Sequence, residues 1–408
     1  MLQRLSQNTQ QVLLPTTPTE AFFHSLMMSL QYFTPISGLI GGSLIGLSAA
    51  TLLLFNGDIL GASGLMSSFV VAPVKTLTDP SQQWKLSFLA AFALTTRVYI
   101  TMIDPDALKD QRLGYGESTM PIASPLAFIV GGFLVGFGTK LGNGCTTGHG
   151  ICGLARLSKR SLVAVLSFMA TGVISASACS VTCPFYPYFR ASYESVVNSL
   201  PTNTTITIGT VIASLAAGSA ISGFLRKSPS PNATKSEQDE YTNNRRKIIP
   251  SIFSAAFFAI GLVTSGMTIS SKIYGFLNVK GISAGTWDPT LACVMGGGLV
   301  VSFLSYQMVK GFNVFKNEKA LECPLTQKKD GGKFSVTTSK VIDTKLFIGE
   351  AMFGLGWGIA GLCPGPAMFL AAAGYQNVLM RWWPSFFVGA FLAEKVKNIQ
   401  IGNSSSSK

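Results

Sequence analysis

Charged residues are scarce in this chain. Asp, Glu, Lys and Arg make up 12% of its 408 residues, about half of what a soluble globular chain carries. A water-facing surface over most of the fold is thereby excluded. Histidine occurs only twice, and His24 sits in the N-terminal tail, so no His-rich metal cluster can be assembled. The seven cysteines contain no C-x-x-C pair, which removes the usual dithiol redox motif, and they give no disulfide framework. Cys179 and Cys183 lie close enough in sequence to pair, but small apolar packing residues is the plainer reading. No long apolar run precedes residue 36, so the first 25 residues do not read as a cleaved secretory signal.

What fills the chain instead is apolar. Hydrophobic residues are 48% of the sequence and the mean hydropathy is +0.40. Stretches near membrane-crossing length, ~20 residues, recur at 36–55, 86–103, 126–143, 161–179, 205–225, 249–268, 289–309, 346–362 and 382–397. About nine crossings follow, and with them an all-α polytopic membrane protein. The formal charge of +13 falls mainly in alternate loops, including Lys75 and Lys85, Arg156 to Arg160, Arg226 to Lys247, and Lys310 to Lys345. Cationic loops resist translocation, so this charge is read as topology, with no nucleic-acid partner. The N-terminus is expected outside and the C-terminus in the cytoplasm, most simply at the plasma membrane.

The crossings divide into two halves. A tail (1–35) precedes a first membrane repeat with a connecting span (36–226). A polar linker (227–248) leads to a second repeat (249–397), which carries a polar insert (313–345), and a short tail (398–408) follows. "GFGTKLGNGC" (136–145) aligns without a gap on "GLGWGIAGLC" (354–363), matching Gly136 to Gly354, Gly138 to Gly356 and Cys145 to Cys363. Four spans per repeat and one span between them would invert the second half. Substrate sites of inverted repeats lie at interrupted helices near the midplane.

Three chemistries could write "GNGCTTGHGICG" (142–153). Cys145, His149 and Cys152 spell C-x3-H-x2-C, but structural zinc takes four ligands and the matched turn offers only Cys363. No metal and no cofactor are therefore expected. A reactive thiolate needs a nearby cation or helix N-terminus, and Cys145 has Lys140 and a following short helix. A membrane sulfurtransferase or redox protein holding sulfur on Cys145 is accordingly a competing reading. The favoured one is passage of a small anion, because glycine-rich turns and half-helix N-termini supply N–H donors and thiols bind weakly enough to release. Lys140 reads either as an anion attractor or as the partner of an intramembrane carboxylate such as Glu350. Asp58 reads as the cap of a short helix after the first span. Trp357, Trp382 and Trp383 read as packing and interface residues.

"GFGTKLGNGCTTGHGICGLARLSKRS" resembles the signature of the YeeE/YedE family of sulfur-compound transporters. "SKIYGFLNVKGISAGTWDPTLACVMGGG" (271–298) and "GLGWGIAGLCPGPA" (354–367) resemble its partner half, so the two halves look fused in one chain. The resemblance implies thiosulfate uptake, short re-entrant helices and a relay of cysteine thiols along a central path. It assigns Cys145 and Cys363 to that path, with Gly144, Thr146, His149 and Gly150 in the first motif and Pro364 and Pro366 in the second. Cys152 is either a neighbour of the path or a packing residue. A further path cysteine found in some members is missing from "GDILGASGLM" (57–66), where Ser63 or the backbone stands in. The expected partners are a small sulfur-containing anion, the lipid bilayer and a cytosolic sulfur-accepting protein. A selenium compound or sulfide is the alternative cargo.

Overall fold

Prolines and short polar side chains start the apolar helices. In the computed structural model, described for residues 33–105, 107, 124–178, 234–284, 287–315, 320–327, 333–336 and 339–405, α1 is Pro35–Thr51, with proline in its first turn. It runs on through a π-turn, Leu52–Asn56, and stops at Gly57 in the left-handed region. The short α2 (Ala62–Val71) and α3 (Pro73–Thr78) follow, then α4 (Trp84–Val98). Helix α5 (Pro125–Gly142) is capped by Ser124, whose hydroxyl accepts from the Ala127 N–H at 3.2 Å. A π-helical segment, Thr146–Gly153, leads to α6 (Lys159–Ala178).

The second half repeats this order. Helix α7 (Lys235–Arg246) opens on a capping box between Thr234 and Glu237, so the end of the polar linker is itself helical. Next come α8 (Ile248–Thr264), the short α9 (Ser270–Leu277) and α10 (Gly281–Ala284), and α11 (Thr290–Tyr306). Helix α12 (Thr344–Ala360) is capped by Asp343, which accepts from the Leu346 N–H at 3.0 Å. It is followed by the short α13 (Pro364–Ala373) and by α14 (Trp383–Ser405). Among the described residues there is no strand, only an isolated bridge between Val309 and Leu321.

This is an all-α polytopic membrane protein. Five described helices are long and apolar enough to cross a membrane, or six when α12 and α13, bent by 42°, are taken as one span. Hydropathy counted nine. Of the rest, 205–225 lies outside the described residues, as do Cys179, Cys183 and His24. Helix α11 is apolar but 17 residues long, and α14 carries Glu394, Lys395 and Lys397 in its second half.

The halves are counterparts of opposite direction. Gly131 lies against Ala360 and Gly138 against Phe353 and Gly349, so the matched helices α5 and α12 run antiparallel. Helices α1 and α8 do the same, with Gly41 against Gly261 and Ser48 bonded to Ser254 at 2.8 Å. Each then packs in parallel on a helix of the other half. A Cβ on Gly136 would sit 2.0 Å from the Phe386 carbonyl, and one on Gly354 would sit 2.2 Å from that of Phe168. Phe168 and Phe386 match in the same register as the two glycines. Only glycine permits such close crossing, as in other membrane helix pairs.

Candidate functional site

Two matching breaks build the centre. Helix α5 ends at Gly142 with Asn143 in the left-handed region (φ 65°), and α12 ends with Gly361 there (φ 62°). A left-handed residue stops a helix by turning its next carbonyl outward. After each break one extended residue starts a short buried helix: Cys145 (φ −145°) before Thr146–Gly153, and Cys363 (φ −106°) before α13. No side chain caps either start. The two starts differ in donors, because Pro364 and Pro366 have no N–H to offer whereas Thr146, Thr147 and Gly148 do.

The short helices converge at their N-terminal ends. Thr146 Oγ1 donates to Cys363 Sγ at 3.5 Å, bringing the two cysteine turns together. Cys145 Sγ lies 3.2 Å from Thr147 Oγ1, which accepts the N–H of Ala62, the first residue of α2, at 3.3 Å. Ser270, which starts α9, packs its carbonyl against Gly361. Three helix N-termini carrying partial positive charge thus meet at thiols that are almost fully buried, with Cys145 at 1% and Cys363 at 8% exposure, and the start of α9 lies beside Gly361. Cys152 lies behind them, its Sγ 3.6 Å from the Leu60 carbonyl.

Beside this centre opens a cavity of about 720 Å³. Of the residues singled out in the sequence, Ser63, Lys140, Gly144 and His149 line it; Cys145, Thr146, Gly150, Cys152, Cys363, Pro364 and Pro366 do not. Gly150 faces Met295 instead. Lys85, Arg156 and Arg160 also border the cavity, against the carboxylates of Asp58 and Glu394, so its wall carries an excess of cations. In the sequence these three read as topological charge, since nothing local marks a loop cation as facing a cavity.

Three side-chain roles need correction. Lys140 pairs with Glu394 of α14 at 3.2 Å rather than with Glu350, because α14 packs along α5 on its lysine side. Glu350 faces His149, with Nε2 3.4 Å from Oε1, while His149 Nδ1 bonds Ser161 Oγ at 3.0 Å. Asp58 does not cap α2, whose N-cap is Gly61; it pairs with Lys247 at 3.1 Å. Burial raises the Asp58 pKa above its ordinary value, and the Lys247 charge opposes that rise. Cys145, His149 and Cys152 do not gather into a donor set: no cluster of three or more His, Cys, Asp or Glu is found among the described residues.

Comparison with known proteins decides the family. A family described as Sulphur transport matches residues 118–174, the stretch that holds the Cys145 turn. A family of unknown function, DUF6691, matches residues 246–400, which hold the Cys363 turn. A probable transporter of Xylella fastidiosa (strain Temecula1) is 35% identical over 147 residues, 36% of this chain and 94% of the relative. A second from the same strain is 33% identical over 144 residues, 35% of this chain and 82% of the relative. The chain belongs to a YeeE/YedE-like family of transporters. These transporters of Xylella each match about a third of the chain's length, and membership makes this an integral membrane transporter with sulfur transport as its family theme.

Proposed function

We propose that this transporter imports thiosulfate or a closely related sulfur oxyanion through the converging cysteine turns. The observation that carries the reading is the contact of Thr146 with Cys363, which joins the matched breaks of the two repeats at one place among three helix N-termini. Partial positive charge there attracts an anion. Thiols and hydroxyls, being neutral, hold it without the deep trap that a buried cation makes. Cys145 and Cys363 pass the anion between them, with Gly144 and Thr146 shaping the first turn and Pro364 and Pro366 holding the second open. Ser63 serves where an earlier thiol is absent.

On this reading the two family matches in one chain are the fused halves, 36–226 and 249–397. The N-terminus lies outside and the C-terminus inside at the plasma membrane. That orientation opens the cation-bordered cavity to the cytoplasm, where a sulfur-accepting protein would collect the cargo. Uptake of labelled thiosulfate into vesicles tests the function. Cys145→Ala and Cys363→Ala are each expected to lower uptake at least tenfold at normal expression. Full uptake by either variant removes the thiol relay.

A further inference from the structure

Glu350 and His149 are a buried ionisable pair that the anion path leaves unused. Glu350 is wholly buried in the middle of α12 and His149 is 3% exposed. Among the described residues neither Glu350 oxygen nor His149 Nε2 makes a well-formed hydrogen bond, though the Gly142 carbonyl lies by the imidazole, and Nε2 and Oε1 stand 3.4 Å apart. The backbone is built around them. A Cβ on Gly142 would sit 2.3 Å from Glu350 Oε1, and one on Gly144 would sit 2.5 Å from His149 Nε2. A carboxylate and a neutral imidazole left so would be a bare buried charge, which is strongly disfavoured. One proton shared between them removes it.

We propose that His149 and Glu350 form a proton-binding pair between the two repeats, and that anion passage is coupled to the proton it holds. His149 lines the cavity, the side from which a proton would reach the buried pair. Its ring is fixed on the other side by Ser161. The backbone N–H of His149 bonds the Cys145 carbonyl at 2.8 Å, which places the pair one helical turn from the path thiol. Cations bear on the pair from neighbouring elements. Arg160 of α6 reaches the Gly142 carbonyl at 3.1 Å, and Arg156 lies just before it. Lys140 of α5 is held by Glu394, and Lys397 of α14 by the Lys140 carbonyl and Asn143. Asp343 and Lys345 stand at the start of α12. The pair therefore sits among groups of net positive charge. Coupling to the anion rests on the transport reading above; the proton site does not.

Two measurements on the full chain test this separately. Infrared difference spectra between acid and alkaline buffer should show a carboxyl C=O band that vanishes in Glu350→Gln. In His149→Gln the midpoint of that band should move by at least one pH unit, and Glu350→Asp should restore a shifted band. No such band in the wild type, or one unchanged in Glu350→Gln, overturns the proton site. In proteoliposomes with the potential clamped at zero, an inward gradient of one pH unit should drive about tenfold accumulation of labelled thiosulfate, as one proton per anion requires. Glu350→Gln should equilibrate the anion without accumulating it. Wild-type equilibration without accumulation overturns the coupling, whereas no wild-type entry at all overturns the transport reading and leaves the infrared result to decide the proton site.

Discussion

Lys272 shows how much a single residue can be asked to hold. It is completely buried, as is its partner Asp288, with Nζ 2.9 Å from Oδ2. Thr34 Oγ1 at 3.0 Å accepts from the same ammonium, and Thr290 donates its N–H to Asp288 Oδ1 at 2.9 Å. The cluster ties α9 to the starts of α1 and α11. Breaking such a pair from one side strands a charge in the interior and costs about 3–5 kcal/mol, whereas replacing both partners by apolar groups can be neutral. Lys272→Met should therefore lower the unfolding midpoint of the purified protein sharply. Lys272→Met with Asp288→Leu should recover much of the loss. A single variant as stable as the wild type would show that the pair contributes little. Lys272 was visible in the sequence only as part of "SKIYGFLNV"; its burial was not, because that depends on a turn that brings Asp288 back. Lys140 taught the same lesson, since the carboxylate it meets is set by which face of α14 crosses α5.

At the scale of elements, the stops were more legible than the supports. Glycine and cysteine at matched positions told where α5 and α12 end, because left-handed backbone and a polar residue mark a helix terminus from sequence alone. The role of the polar insert was not legible. Residues 324–327 and 333–336 lie over the π-turn at the end of α1, where a widened turn leaves carbonyls unpaired. The N–H of Leu325 bonds the Leu54 carbonyl at 2.8 Å, and Thr326 Oγ1 bonds that of Phe55 at 2.6 Å. Gln327 Nε2 bonds the Asn56 carbonyl at 2.8 Å, and the Ser335 N–H bonds that of Gly57 at 2.7 Å. Replacing 324–327 by a Gly/Ser stretch should raise hydrogen exchange at amides 53–58 at least tenfold while leaving α5 and α12 protected. Unchanged exchange there would mean that α1 holds its end without the insert.

At the scale of the whole molecule, composition fixed the class and one repeated stretch fixed the symmetry. Scarce charge and recurrent apolar runs need a bilayer whatever their order, so an all-α membrane fold could be read without any contact. The opposite direction of the two halves was expected from the repeated stretch and an odd connecting span, but the pairing of α5 with α12 and of α1 with α8 was not, because a repeat says nothing of which helices touch. The cavity could not be read so, because its wall comes from five separate parts of the chain. The central claim is that a sulfur oxyanion is held where the two breaks meet. The direct test is a structure determined with thiosulfate present. The account predicts the anion between Cys145 and Cys363, within hydrogen-bonding distance of at least one thiol and of the Thr146 hydroxyl. An anion seated only among Lys85, Arg156 and Arg160 in the cavity, with the cysteine turns empty at saturating concentration, would contradict it.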